Sequence, residues 1–166
     1  MDHLSIYANP DIDAPCFLYA QLDAVEGEVH NKKRINILKF HIEPLSSEFG
    51  STYIYSNLYH NQNAERMWKR CRQSLRFNGY DAKIAIGRWV KLYLVPSKFQ
   101  PTGHPEEQYS TVQYVAQKDI DRARIAKLEH LTRLNAIPWD ATDAEEAQQM
   151  IEEALAVAQL QQDYAM

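Results

Sequence analysis

Two cysteines, five glycines and no long apolar run mark this chain of 166 residues. Cys16 and Cys71 stand far apart and neither has a C-x-x-C companion, so neither a disulfide framework nor a zinc site is expected. Free thiols in a reducing cytoplasm are the simplest reading. So few glycines leave no G-x-G-x-x-G and no glycine-rich loop to cradle a phosphate. A G-x-S-x-G elbow is missing too. The six histidines show no H-E-x-x-H spacing, and "HPEE" at 104 lacks the paired cysteines that a deaminase H-x-E site requires. No stretch approaches the roughly 18 apolar residues of a membrane span. The start, "MDHLSIYANPDIDAP", has acidic residues and no basic leader region. These gaps point away from a metal or cofactor enzyme and towards a cytoplasmic binding protein.

Basic residues are missing from both ends. Residues 1–31 carry six acids and no Lys or Arg, and residues 134–166 carry seven acids and no Lys or Arg. The middle holds all 18 Lys and Arg against nine acids, an excess of nine positive charges inside a chain of net charge −4. A basic centre between acidic ends predicts a polyanionic partner for the centre, unless the ends fold back and neutralise it.

What is there reads mainly as strands. "CFLYAQLDAVE" places Cys16, Leu18, Ala20, Leu22 and Ala24 on one face and Phe17, Tyr19 and Gln21 on the other. "EGEVHNKKR" reads as a polar turn, followed by a strand with Leu38, Phe40 and Ile42 against Ile37, Lys39 and His41. "STYIYSNLYH" sets Ile54 and Leu58 against Tyr53, Tyr55 and Tyr59. The period then changes: Ala64, Met67, Trp68, Cys71 and Leu75 share a helical stripe, with Asn61 or Asn63 as cap and Gly79 as terminator. "GRWVKLYLV" is a fourth strand and "YSTVQYVAQ" a fifth, with Val112, Tyr114 and Ala116 inward. A helix capped by Asp119, a linker "NAIPWDAT" and an acidic helix over 143–161 complete the chain.

The resulting class is mainly β with helices, α+β. The order β-β-β-α-β-β fits a five-stranded OB-like barrel with a helix between the third and fourth strands. The expected layout is an N-terminal arm over 1–15, the OB-like domain over 16–117, a helix over 118–135, then linker and acidic helix over 136–166.

Single strands of nucleic acid are held by bases stacked on aromatic rings and phosphates paired with cations. The candidate residues are Lys32, Lys33, Arg34 and Lys39 around the second strand, and Tyr53, Tyr55 and Tyr59 on the third. Arg88, Trp89, Lys91 and Tyr93 on the fourth join them, with Lys98 and Phe99 in the loop after it. Each ring has a second reading, since an aromatic on a strand also packs beneath a helix. For Trp89 and Tyr93 the two readings stand level. Trp68, on its helical stripe, reads as core, and the basic face of its helix reads as solvated or phosphate-contacting.

The run from "LDAVEGEVHNKKRINILKFHIEP" through "AERMWKRCRQSL" to "GRWVKLYLVPSKF" and "EEQYSTVQYV" resembles the phage-type single-stranded DNA-binding proteins of OB fold. Gly87, Arg88 and Val90 match their "G-basic-x-V" strand. The resemblance covers about residues 17–116, by pattern. It implies a phage or mobile-element protein that guards single strands during replication or recombination, in the host cytoplasm, with DNA favoured over RNA. Such proteins commonly end in an acidic tail that recruits partners. This chain ends "QQDYAM" without a dense acidic tip, leaving its acidic helix as the place for a protein partner, or for a second copy. The other reading is a protein–protein interaction module, such as a phage-encoded inhibitor of a host or defence complex. An enzyme with an unrecognised site is the third.

Overall fold

The computed structural model describes residues 9–10, 12–30, 33–44, 52–59, 64–96 and 111–164, without the side chains of 28–30, 33, 59, 111 and 117. Alternation builds the sheet. Its five strands are β1 (Cys16–His30), β2 (Lys33–Ile42), β3 (Tyr53–Tyr59), β4 (Trp89–Val95) and β5 (Thr111–Tyr114). They lie antiparallel in the order β3-β2-β1-β4-β5. Leu18, Ala20 and Leu22 of β1 face one way with Leu38, Phe40 and Ile42 of β2. Ile54 and Leu58 of β3, Val90, Leu92 and Leu94 of β4, and Val112 and Tyr114 of β5 join the same core. Helix α1 (Glu65–Leu75) lays Trp68, Cys71 and Leu75 onto it. Burial pushes the Cys71 thiol up to about 12, with neighbouring Tyr114 and Arg72 acting the other way.

β1 is longer than its alternation predicts. The stretch read as a polar turn is two paired strand arms, with Glu28 opposite Ile35 and His30 opposite Lys33. A ladder satisfies the backbone whatever the side chains, so polar residues do not end it. The register slips once, between Leu22 and Ala24, which makes Asp23 a bulge. A bulge inverts the parity of the residues after it. Ala24 therefore leaves the face of Leu22, and Val25 takes the core side opposite Leu38.

The sheet is open. Its edges β3 and β5 approach through side chains, where the Tyr114 hydroxyl donates to Ser56 Oγ at 2.8 Å. No ladder joins them among the described residues. β5 holds only four residues, and Ala116, expected inward, is exposed.

The helix ends also differ from expectation. Ala64 precedes α1 with no side-chain cap bond, and Asn61 and Asn63 lie outside the described residues. The helix stops at Arg76, not Gly79: Arg76 takes φ 62°, and the N–H groups of Arg76 and Phe77 both reach Arg72 O. Helix α2 (Arg122–Arg133) is capped by Asp121, whose carboxylate accepts from Arg124 N at 3.1 Å. Asp119 belongs instead to the 3₁₀ turn before it. At the far end Asn135 is left-handed (φ 53°), with Asn135 N to Thr132 O and Ala136 N to Leu131 O. This is a Schellman ending, sealed by packing of Ala136 with Leu131.

Helix α3 (Ala144–Tyr164) starts from Asp143, which accepts from Glu146 N, while Glu146 reaches back to Thr142. This is a reciprocal cap. Only Ala147 and Ile151 are buried along it, Ile151 against Leu131 and Ala136. No helix among the described residues is long and apolar enough to cross a membrane.

Candidate nucleic-acid interface

The face of the sheet opposite the core carries Phe17, Tyr19 and Gln21 of β1, Lys39 and His41 of β2, Tyr53 and Tyr55 of β3, and Trp89, Lys91 and Tyr93 of β4. The ladder sets these side by side: Phe17 opposite Tyr93, Tyr19 opposite Lys91, Gln21 opposite Trp89, Lys39 opposite Tyr55 and His41 opposite Tyr53. The predicted aromatic and basic face is thus assembled from four strands.

Its centre is covered. Helix α2 and the connection after it lie over β4, and Trp89, 1% exposed, packs with Ile125, Leu128, Ile137 and Trp139. The Trp89 indole N–H donates to Thr132 Oγ1 at 2.7 Å. Of the two readings of Trp89, packing beneath a helix is the one realised, and its ring has no face open to a base. Trp139 slots between Trp89 (centroids 5.7 Å, 3° apart) and His41 (3.8 Å, 15°), and His41 stacks in turn on Tyr53 (4.4 Å, 25°). Four rings therefore run in a row across the sheet. Burial among them holds the His41 imidazole below its ordinary value; Asp23 pulls it back up, and Lys39 pushes it further down.

An ion pair pins the cover. Arg124 of α2 donates to the Glu43 carboxylate at 2.9 Å, and the Glu43 side chain is 1% exposed. The same guanidinium lies 5.4 Å from the centre of the Tyr19 ring. Burial raises the Tyr19 phenol, helped by Asp121 and opposed by Arg124.

Two flanks stay open. On one, Phe17 is 56% exposed and leans on half-buried Tyr93, ring centres 4.6 Å apart, with the Lys91 ammonium 4.7 Å from the Phe17 centroid. On the other, half-buried Tyr53 and Tyr55 flank Lys39, whose ammonium sits 4.1 Å from the Tyr53 centroid. Each flank pairs a ring with a lysine.

The other candidates are scattered. Arg34 is exposed on the β1–β2 hairpin, and Lys33 and Tyr59 are placed only by their backbone in β2 and β3. Lys32, Lys98 and Phe99 lie outside the described residues. Arg88 turns to the end of α1, donating to the carbonyls of Leu75 and Arg76. The described residues hold no group of three His, Cys, Asp or Glu fit for a metal ion.

Sequence reasoning passed over Phe17 and Trp139. Phe17 shares the parity of Tyr19, a signal that was legible. Trp139 sits in the proline-bearing connection, where no period assigns it a face. Comparison with family models, curated proteins and solved structures returned no match.

Proposed function

We propose that the protein is a non-enzymatic, sequence-tolerant binder of single-stranded nucleic acid, with DNA favoured over RNA. The observation that carries this reading is the repeated pairing of a ring with a lysine: exposed Phe17 with Lys91 and half-buried Tyr53 with Lys39. Ring and cation together meet the two needs of a strand, a surface for the base and a charge for its phosphate. The strand order supports it further. It is the order of an OB barrel unrolled between its third and fifth strands, and OB barrels take ligands on the outer face of strands two and three. The resemblance to phage-type single-stranded DNA-binding proteins adds a role in phage or mobile-element replication or recombination.

The test is an anisotropy titration of a labelled dT oligomer over a salt series. Affinity should fall as salt rises, with a log–log slope of about −0.7 per phosphate neutralised. Lys39→Ala with Lys91→Ala should flatten that slope and leave the melting temperature unchanged. An absence of binding at low salt overturns the reading.

A second reading has its own support. α3 exposes Leu155, Val157, Leu160 and Tyr164 on a helix that carries acids and no base. An apolar, acidic surface of that kind suits a basic protein partner, and makes an interaction module the alternative.

A further inference from the structure

We propose that the cleft between α1 and α2 is a binding site for a run of linked phosphates. Two cavities, of about 410 and 320 Å³, open on either side of one ion pair, Arg76 to Glu129 at 2.7 Å. Arg88 and Arg133 also line the first, and Lys91 and Arg122 also line the second. Five cations thus surround a single carboxylate.

The backbone explains the crowding. Arg76 occupies the left-handed position that ends α1. Arg88 is held to the last carbonyls of the same helix, so its charge is fixed at the mouth of the first cavity. Arg122 and Arg133 stand three turns apart on α2, on the stripe that also carries Glu129. At 1.5 Å per residue they are roughly 16 Å apart, a span long enough for more than one phosphate. Both are exposed, and neither side chain makes a hydrogen bond or ion pair among the described residues. Guanidinium groups match phosphate geometry with paired donors, and they stay charged at every working pH. Like charges gathered without counter-ions repel, and an incoming anion relieves that repulsion.

Glu129 acts as a placeholder. Its carboxylate holds Arg76 across the middle of the cleft, and a phosphate that enters must displace it. The second cavity then leads outwards along Lys91, whose ammonium is bonded to Asp119 O at 3.0 Å and faces the exposed Phe17 ring. A strand laid in the cleft would carry its phosphates past Arg133 and Arg122 and bring a base to Phe17. Inorganic polyphosphate presents the same phosphates without the bases. The single-strand source rests on the function proposed above; the phosphate chemistry of the cleft does not.

The experiment uses the full chain and two probes, labelled dT20 and inorganic tripolyphosphate. Arg122→Gln with Arg133→Gln keeps the helix and removes two charges. It should weaken binding about tenfold or more, and reduce the dT20 salt slope by roughly 1.4, two phosphates at 0.7 each. Glu129→Gln should tighten binding several-fold, whereas Glu153→Gln on α3, the same change in net charge, should not. Loss for both probes assigns the cleft to phosphates however carried, loss for dT20 alone to a strand backbone, and loss for tripolyphosphate alone to a free polyphosphate. The inference is overturned if the double variant binds both probes as the parent does, or if Glu129→Gln behaves like Glu153→Gln. Parent binding to dT20 with an unaffected double variant would sink the cleft and leave the proposed function standing. Parent binding to neither probe would end both.

Discussion

The indole of Trp139 lies nearly flat on the imidazole of His41, ring centres 3.8 Å apart, with Trp89 parallel on its other side. A residue from the connection between two helices thereby becomes part of the sheet's cover. The connection is docked, not a free tether, and the acidic C-terminal segment is fixed to the outer face upstream of α3.

Trp139→Ala should therefore cost stability. Removing a large aromatic from a packed site costs about 3–5 kcal/mol, and the half-buried setting of Trp139 places it at the lower end. Urea unfolding checks this as a lowered midpoint. Iodide should also quench the fluorescence of Trp89 more readily, because its stacking partner is gone. An unchanged midpoint would mean that the row of rings does not hold the cover.

Acid should loosen the same row. Burial keeps the folded His41 below its ordinary 6.5, opposed by Asp23. The unfolded chain takes up its proton first as pH falls, so the unfolded state binds more protons in that window. The stability due to a neutral His41 is then present above about pH 6.5 and is lost as pH drops through 6.5 towards the depressed folded value. Unfolding midpoints of the parent and His41→Asn should converge between pH 7.5 and 5. Parallel curves would count against a buried, neutral imidazole.

The Arg124–Glu43 pair makes a sharper demand. Arg124→Ala leaves a carboxylate in a site 1% exposed, and such a loss costs about 3 kcal/mol or more. Replacing both, Glu43→Leu with Arg124→Met, should recover most of that loss. A double variant as unstable as the single one would show that the pair does more than neutralise charge.

Cys71 offers a reporter. With its thiol pushed up to about 12 and its side chain in the core, it should resist a thiol reagent at pH 8 until the protein unfolds. Half-exposed Cys16 should react in the native state. Counting modified thiols along a urea gradient gives the check, and rapid modification of both in buffer would contradict the packing.

Much of this was legible in the residues. Alternation found the core faces of β2, β3 and β4, since one aliphatic face per strand leaves little choice. It failed at Asp23, because a bulge leaves no mark in composition. It also failed at Trp89, for a reason that matters for the site. Parity says which face a ring is on; the cover over that face comes from Ile120 to Trp139, later in the chain. Helix ends were misjudged where Arg76 took a conformation that glycine usually supplies. Phe17 could have been found from its parity with Tyr19. The cleft could not, since Arg76, Arg88, Arg122 and Arg133 come together only once α2 is docked.

Asn9 pairs with the outermost strand through its side chain, its amide donating to Tyr55 O at 2.9 Å and accepting from Tyr55 N at 2.6 Å. Those are the two bonds a neighbouring peptide would make. The carboxamide mimics one residue of a sixth strand and occupies its place. An extended segment of another molecule that tried to add itself along β3 would find that rung taken. Exposed edges are where sheets from different molecules join and grow into aggregates. Asn9→Ala would remove both of those bonds, and with them a guard against self-association along β3.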